Sequence, residues 1–217
     1  MTDSSEGQIR GKFITFEGGE GSGKSTQVSR LAERLKDAGY AVVETREPGG
    51  SPKAEAIRKF ILAGEAEGKG PRAEAMLFAA ARMDHVDRKI RPALETGKWV
   101  VCDRFMDSTR VYQGMHVDGS TIDLLEKMAV GDCRPELTVL LDISAKEGLD
   151  RAIKRSRGAR RDRFEKEDVS VHEARREAFL KLAESQPERF VVLDATKFPR
   201  ALELEIWDAC QKRFNLS

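Results

Sequence analysis

Residues 18–25, Gly18-Gly19-Glu20-Gly21-Ser22-Gly23-Lys24-Ser25, spell the pattern G-x-x-x-x-G-K-[ST]. Glycines at this density let successive backbone N–H groups curl around phosphate oxygens, and a following helix N-terminus adds its positive end. The Lys24 ammonium can then bridge the β- and γ-phosphates, while the Ser25 hydroxyl can ligate Mg²⁺. Gly18 through Thr26 is therefore read as the seat of a nucleoside triphosphate, with Mg²⁺ as the metal cofactor. The rival reading is a chance glycine-rich turn. It fits poorly, because an apolar run Phe13–Phe16 precedes the loop and a helical pattern follows it.

The second chemical signal is a basic run. From Arg151 to Arg163 the chain reads R-A-I-K-R-S-R-G-A-R-R-D-R, with Asp162 its one acid. Such a segment repels itself unless it meets an anion. Beside a phosphate cradle it reads as a lid, at about 151–165, that closes over a triphosphate and expels water. By composition alone it is equally a solvated loop or an arm for RNA. His85, His116 and His172 lack metal-ligand spacing and are assigned to packing or surface. Cys102 lies in an apolar run and reads as a small buried hydrophobe.

The elements that must position these groups follow from periodicity. Apolar runs at Phe13–Phe16, Ala41–Thr45, Trp99–Asp103, Leu137–Asp142 and Arg189–Leu193 read as strands. Helical spacing fills the gaps: after the glycine loop to Gly39, at Lys53–Leu62, Arg72–Leu94 with a break near Pro92, Ser120–Val130, Lys146 to about Arg155, Val169–Glu184 and Pro199–Arg213. Strands separated by helices imply right-handed crossovers and a parallel sheet covered on both faces. The fold class is α/β, a three-layer P-loop fold with a five-stranded parallel sheet. Residues 11–217 form one domain behind a flexible N-terminal tail, 1–10.

Composition narrows the class further. The chain has 217 residues, 40% apolar and 35% charged, with a net charge of +1. No basic excess advertises nucleic acid, and no stretch approaches a membrane span. Three scattered cysteines imply a reducing compartment, and the expected location is the cytoplasm. A guanine-reading Asn-Lys-x-Asp is missing from the sequence, and a motor would need more length. A small-molecule kinase remains as the leading class.

At this point the sequence resembles the thymidylate kinase family over Phe13 to Thr196. The blocks are Phe16-Glu17-Gly18 into the loop, Thr45-Arg46-Glu47-Pro48-Gly49-Gly50, and Leu77-Phe78-Ala79-Ala80-Ala81-Arg82. Asp103-Arg104-Phe105 with Ser108-Thr109-Arg110-Val111-Tyr112-Gln113-Gly114, then Arg134-Pro135-Glu136-Leu137-Thr138 and Leu141-Asp142, complete the set. Phe105, Arg110, Val111 and Glu136 depart from the commoner residues without removing a needed group.

The resemblance implies a homodimeric kinase that moves the ATP γ-phosphate to dTMP, giving dTDP and ADP on the way to dTTP. Phe78 would stack on thymine and Arg82 hydrogen-bond it; four apart on a helix, they share a face. Thr109 would touch the base edge, with Gln113, Ser108 and Pro48 around the same pocket. Tyr112 would close the place of a ribose 2′-hydroxyl, and Glu20 would meet the 3′-hydroxyl. Arg46 and Arg104 would grip the acceptor phosphate, and Asp103 would share Mg²⁺ with Ser25. Arg151 would lie against adenine over the loop Asp194-Ala195-Thr196. The glycine loop carries no arginine, so the resemblance is to the bacterial lid-arginine type, with Arg157 as the catalytic arginine and Arg155 the other candidate. A kinase for another nucleotide or deoxynucleoside, a non-catalytic nucleotide switch and an RNA-binding lid remain as alternatives.

Overall fold

A computed structural model describes residues 10–156, 164 and 167–216. Strands β1 (Phe13–Gly18), β2 (Val42–Arg46), β3 (Trp99–Asp103), β4 (Leu137–Asp142) and β5 (Phe190–Asp194) pair in the order β2-β3-β1-β4-β5, parallel throughout. β1 is central and buried along its whole length. It reads as a near-continuous apolar run because both of its faces are covered.

Successive side chains of a strand point to opposite faces, and the core divides accordingly. Ile14, Phe16, Val101 and Leu141 pack on one face against Val28, Leu31 and Leu35 of helix α1 (Lys24–Asp37) and Leu202 and Ile206 of the C-terminal helix. Phe13, Val100 and Cys102 point the other way, onto Val86, Ile90, Leu94 and Phe105. Each fully buried Leu, Ile or Phe contributes about 1.5–3 kcal/mol, so this double-faced core holds the strand ends in place without cross-links. Cys102, Cys133 and Cys210 are buried free thiols.

Around the sheet run α2 (Pro52–Leu62), α3 (Pro71–His85), α4 (Arg91–Glu95), α5 (Met106–Tyr112), α6 (Gly119–Val130), α7 (Ala145–Ser156), α8 (Val169–Ser185) and α9 (Pro199–Phe214). One helix boundary departs from the sequence reading. The break expected near Pro92 lies earlier, where Val86–Ile90 widens into a π-helical turn before α4 begins at Arg91. Proline lacks an N–H and its ring crowds the carbonyl four residues back, so the distortion falls on the turn before it. Helix α5 occupies a stretch to which periodicity assigned no element, since two turns are too few to show a period. Residues 157–163, the centre of the expected lid, and the tail 1–9 lie outside the described residues.

The carboxyl ends of β1 and β3 open into the glycine loop and the Arg104 turn, the usual ligand crevice of an open parallel sheet. Helix α7, which leads toward the expected lid, is pressed directly onto that loop. A Cβ on Gly21 would sit 1.9 Å from the Gly148 carbonyl oxygen, and one on Gly148 would sit 2.3 Å from the Glu20 carbonyl oxygen. In an ordinary helix interior Gly→Ala stabilises by about 1 kcal/mol. Here the backbone clash reverses the sign: Gly148→Ala is expected to lower the Tm and to raise the KM for ATP. A raised Tm would show that the two backbones are not in contact.

Candidate active site

One cavity of about 260 Å³ lies over these strand ends. Its floor is the loop, through Glu20, Gly21, Gly23, Lys24 and Ser25. Lys24 is buried and folds back over its own loop, donating to the carbonyls of Gly18 (3.1 Å) and Gly19 (2.7 Å) and to Ser22 Oγ (3.3 Å). Burial and the neighbouring Arg104 lower its pKa to about 8, against the pull of Glu20, Asp103 and Glu17. Incoming phosphate would replace those carbonyls with full negative charge and raise that pKa again. At the loop's edge Ser25 Oγ donates to Asp103 Oδ2 at 2.5 Å. A hydroxyl and a carboxylate side by side are hard oxygen donors of the kind Mg²⁺ takes together with substrate phosphates and water. The described residues hold no cluster of three or more His, Cys, Asp or Glu that could cage a metal by themselves.

Arg104 governs the opposite wall. It sits in the left-handed region at φ 67°, a conformation that costs a non-glycine residue roughly 1–2 kcal/mol. The backbone is held there by Glu17, whose buried carboxylate accepts from the N–H groups of Phe105 (2.8 Å) and Ser108 (3.2 Å) and from Ser108 Oγ (2.6 Å). The strained turn aims the Arg104 guanidinium at Glu20 Oε1 (2.5 Å) and Ser108 Oγ (3.2 Å). Tyr112 OH donates to the same Glu20 oxygen at 3.2 Å, and Arg104 lies 5.2 Å over the Tyr112 ring. Burial alone would push the Glu20 carboxyl up; Arg104, Lys24 and the Tyr112 hydroxyl outweigh it and hold it at about 2. Burial raises the Tyr112 phenol, which keeps its proton for that bond.

At the inner end Arg82 is almost fully buried. Its Nε donates to Glu47 Oε2 (2.7 Å), Nη1 to Thr109 Oγ1 (3.0 Å) and Nη2 to the Phe105 carbonyl (3.0 Å). Phe78 lines the same cavity one turn earlier on α3, with Pro48, Gln113 and Arg46. Gln113 is fixed by Glu74 at 3.0 Å, and Arg46 is exposed and paired with Glu55 at 3.1 Å.

Most residues read from sequence as site residues therefore meet in one cavity, Arg155 among them. Gly18, Gly19 and Ser22 belong to the loop but do not line the cavity, and Thr26 is an exposed residue on α1. Arg151 and the segment Asp194-Ala195-Thr196 form a separate contact: Arg151 Nη1 donates to the Ala195 carbonyl at 2.7 Å, and Asp194 caps Thr196. Arg157 falls outside the described residues. Glu47, Arg58, Leu62, Phe105 and Phe164 also line the cavity without having been assigned there. Glu17 and Glu47 both stood in quoted motifs; a carboxylate between apolar strand residues, and one between Arg46 and Pro48, were the available signals.

A P-loop at the end of the central strand, a wall of carboxylate-held arginines and a base-sized inner pocket define a P-loop kinase of small nucleotides. A family model described as thymidylate kinase matches residues 16–206. A thymidylate kinase from Bradyrhizobium sp. strain BTAi1 is 49% identical over 95% of this chain and 92% of its own length. One from Afipia carboxidovorans is 52% identical over 94% of this chain and 90% of its own. The crystal structure of thymidylate kinase from Ehrlichia chaffeensis superposes with a TM-score of 0.74 at 33% identity, covering 93% of this chain and 99% of that one. The chain belongs to the thymidylate kinase family and is an enzyme, a transferase acting as a dTMP kinase.

Glu17 makes the site's stability sensitive to pH. Burial, then Asp107, raises its carboxyl from 4.5 to about 7 against the hydrogen bonds from Ser108 and Phe105 and the charge of Arg104. A raised folded-state pKa means a contribution fully present below pH 4.5 and lost as pH rises through 7. Melting curves of the native chain and of Glu17→Gln should therefore differ most near pH 5, in favour of the native chain, and converge toward pH 8. A gap that is flat or widens with pH would contradict the raised value.

Proposed function

We propose that this cleft carries out the transfer with ATP on the P-loop and dTMP across from it, the two phosphate chains meeting between Lys24 and Arg104. The observation that carries the reading is the set of oriented cations around one cavity, with a stacking face and a buried donor at its inner end. Lys24 holds the β- and γ-phosphates. Ser25 and Asp103 are the chain's oxygen donors for Mg²⁺, which when bound neutralises phosphate charge. Arg104 and Arg46 grip the acceptor phosphate, and Arg151 with the Asp194–Thr196 loop flanks the adenine. Phe78 stacks on thymine, Arg82 and Thr109 meet its edge, and Gln113, Ser108 and Pro48 shape the pocket. Glu20 takes the sugar 3′-hydroxyl, already ionised through Arg104 and Lys24.

The acceptor is itself a phosphate with a second pKa near ~6, so at neutral pH it is mostly dianionic and needs no general base. The obstacle is two polyanions in line, and a site of cations without a catalytic histidine answers it. An arginine arriving from the lid meets the remaining charge on the transferring group. We assign it to Arg157, with Arg155, which lines the cavity, as the alternative.

Two further readings are supported more coarsely. An apolar face on α3 and α6, with Met76, Leu124 and Met128 each about 60% exposed, fits a homodimer through those helices. The free cysteines fit a reducing cytoplasm. No helix among the described residues is long and apolar enough to cross a membrane.

Coupled ADP release with dTMP, dUMP, UMP and dGMP compared side by side tests the reading. The preference for dTMP over dUMP rests on one methyl and should be about 10–200-fold, with UMP far poorer. Tyr112→Ala should narrow the dUMP–UMP gap, and an unchanged ratio removes that role from Tyr112. Arg157→Ala should lower kcat by up to ~10³–10⁵ with a much smaller effect on the KM for dTMP, since its contact forms mainly in the transition state. A large loss at Arg155 instead moves the assignment; loss at neither leaves the lid as a cover alone.

A further inference from the structure

His85 has no place in the transfer chemistry, yet it is fully buried with both ring nitrogens engaged. Nδ1 lies 2.9 Å from Glu47 Oε1 and Nε2 lies 2.7 Å from Thr45 Oγ1. A carboxylate only accepts, so the Nδ1 proton points at Glu47, and the threonine hydroxyl serves the other nitrogen. The ring is held from its far side as well. Gly50, at φ 89°, runs so close that a Cβ there would sit 2.3 Å from His85 Nε2 and 2.7 Å from Thr45 Oγ1.

The line continues from Glu47 into the base pocket. Glu47 is tied to the end of β3 by its N–H, which donates to the Asp103 carbonyl at 2.9 Å. Its two carboxylate oxygens are divided: Oε1 takes His85 and Oε2 takes Arg82 Nε. Arg82 and His85 stand three apart on α3 and so share a face. We propose that His85 is a positioning residue for Arg82, acting through Glu47, and that it thereby sharpens selection of a pyrimidine presenting a carbonyl to Arg82.

His85 and Arg82 compete for one carboxylate. An unengaged carboxylate draws an arginine into a two-pronged fork through Nε and a terminal nitrogen. With Oε1 occupied by His85, that fork does not form. The terminal nitrogens instead go to Thr109 Oγ1 and the Phe105 carbonyl at 3.0 Å each, which orients the guanidinium beside the cavity. Without the ring, the buried Oε1 loses its donor and pulls a terminal nitrogen back. Arginine has donors only, so an oriented Arg82 matches a carbonyl edge and opposes an amino edge. This deepens, and rests on, the reading that Arg82 meets the base.

The test compares dTMP with dCMP, whose ring carries an amino group where thymine has a carbonyl, in the native enzyme and in His85→Leu, His85→Asn and Arg82→Met. His85→Leu should raise the KM for dTMP about tenfold and shrink the dTMP:dCMP ratio of kcat/KM, while kcat and the KM for ATP stay within about twofold. His85→Asn places an amide N–H where Nδ1 was and should recover most of both losses. Equal falls in kcat for Leu and Asn, with the ratio unchanged, would overturn the proposal. Should His85→Leu fail to fold by circular dichroism, Thr45→Val, which removes only the hydroxyl at Nε2, carries the test: a reduced ratio supports the relay and an unchanged one overturns it. Arg82→Met separates the two levels. If it leaves the ratio intact, base reading by Arg82 is wrong and the proposal falls with it; if it collapses the ratio while His85→Leu does not, only the positioning role falls.

Discussion

Carboxylates hold four arginines in and beside this cleft in place before any substrate arrives. Arg104 is anchored by Glu20, Arg82 by Glu47, Arg46 by Glu55 and Arg151 by Glu147. Loose lysines and arginines could neutralise two nucleotides, but each would then lose side-chain freedom on binding and sample geometries that do not lead to transfer. Pairing each arginine with an acid removes that freedom during folding. The same pairing stops the positive groups from repelling one another, which the low-dielectric interior would otherwise magnify.

Glu17 is the deepest instance, because it holds a backbone instead of a side chain. Its oxygens gather the N–H groups of Phe105 and Ser108 and so stabilise a left-handed Arg104 that the chain would not otherwise adopt. Behind it Asp107 is gripped by Arg189 with two bonds of 2.7 and 2.8 Å, and Arg189 also reaches Thr138 on β4. The turn that presents Arg104 is thus tied to both neighbours of the central strand. A charge buried without such partners would cost several kcal/mol.

The tight seating of α7 on the glycine loop ties that helix to the phosphate cradle. Because Gly21 and Gly148 bring two backbones together without side chains between them, a shift of α7 moves the floor on which the triphosphate rests. Helix α7 and the phosphate cradle are packed as one unit. Across the cleft, Thr45, His85 and Glu47 join the end of β2 to the face of α3.

The sequence by itself determined what depends on local pattern. The order of the strands and helices, the P-loop after β1 and the cluster of motif residues all follow from periods and short spacings that survive in one dimension. It assigned Arg82, Arg104 and Tyr112 to the site, since those types sit in recognisable blocks. It left Glu17, Glu47 and Asp107 without a role and read His85 only as packing or surface, because a buried polar residue is defined by partners tens of residues away. Glu47 meets His85 across 38 positions and Glu17 meets Phe105 across 88. Only the packed sheet decides which carboxylate faces which cation, because desolvation makes those pairings obligatory and no local rule encodes them. The π-helical turn before Pro92 and the short helix α5 escaped the periodic reading for local reasons, the proline's crowding of the preceding turn and a helix of only two turns.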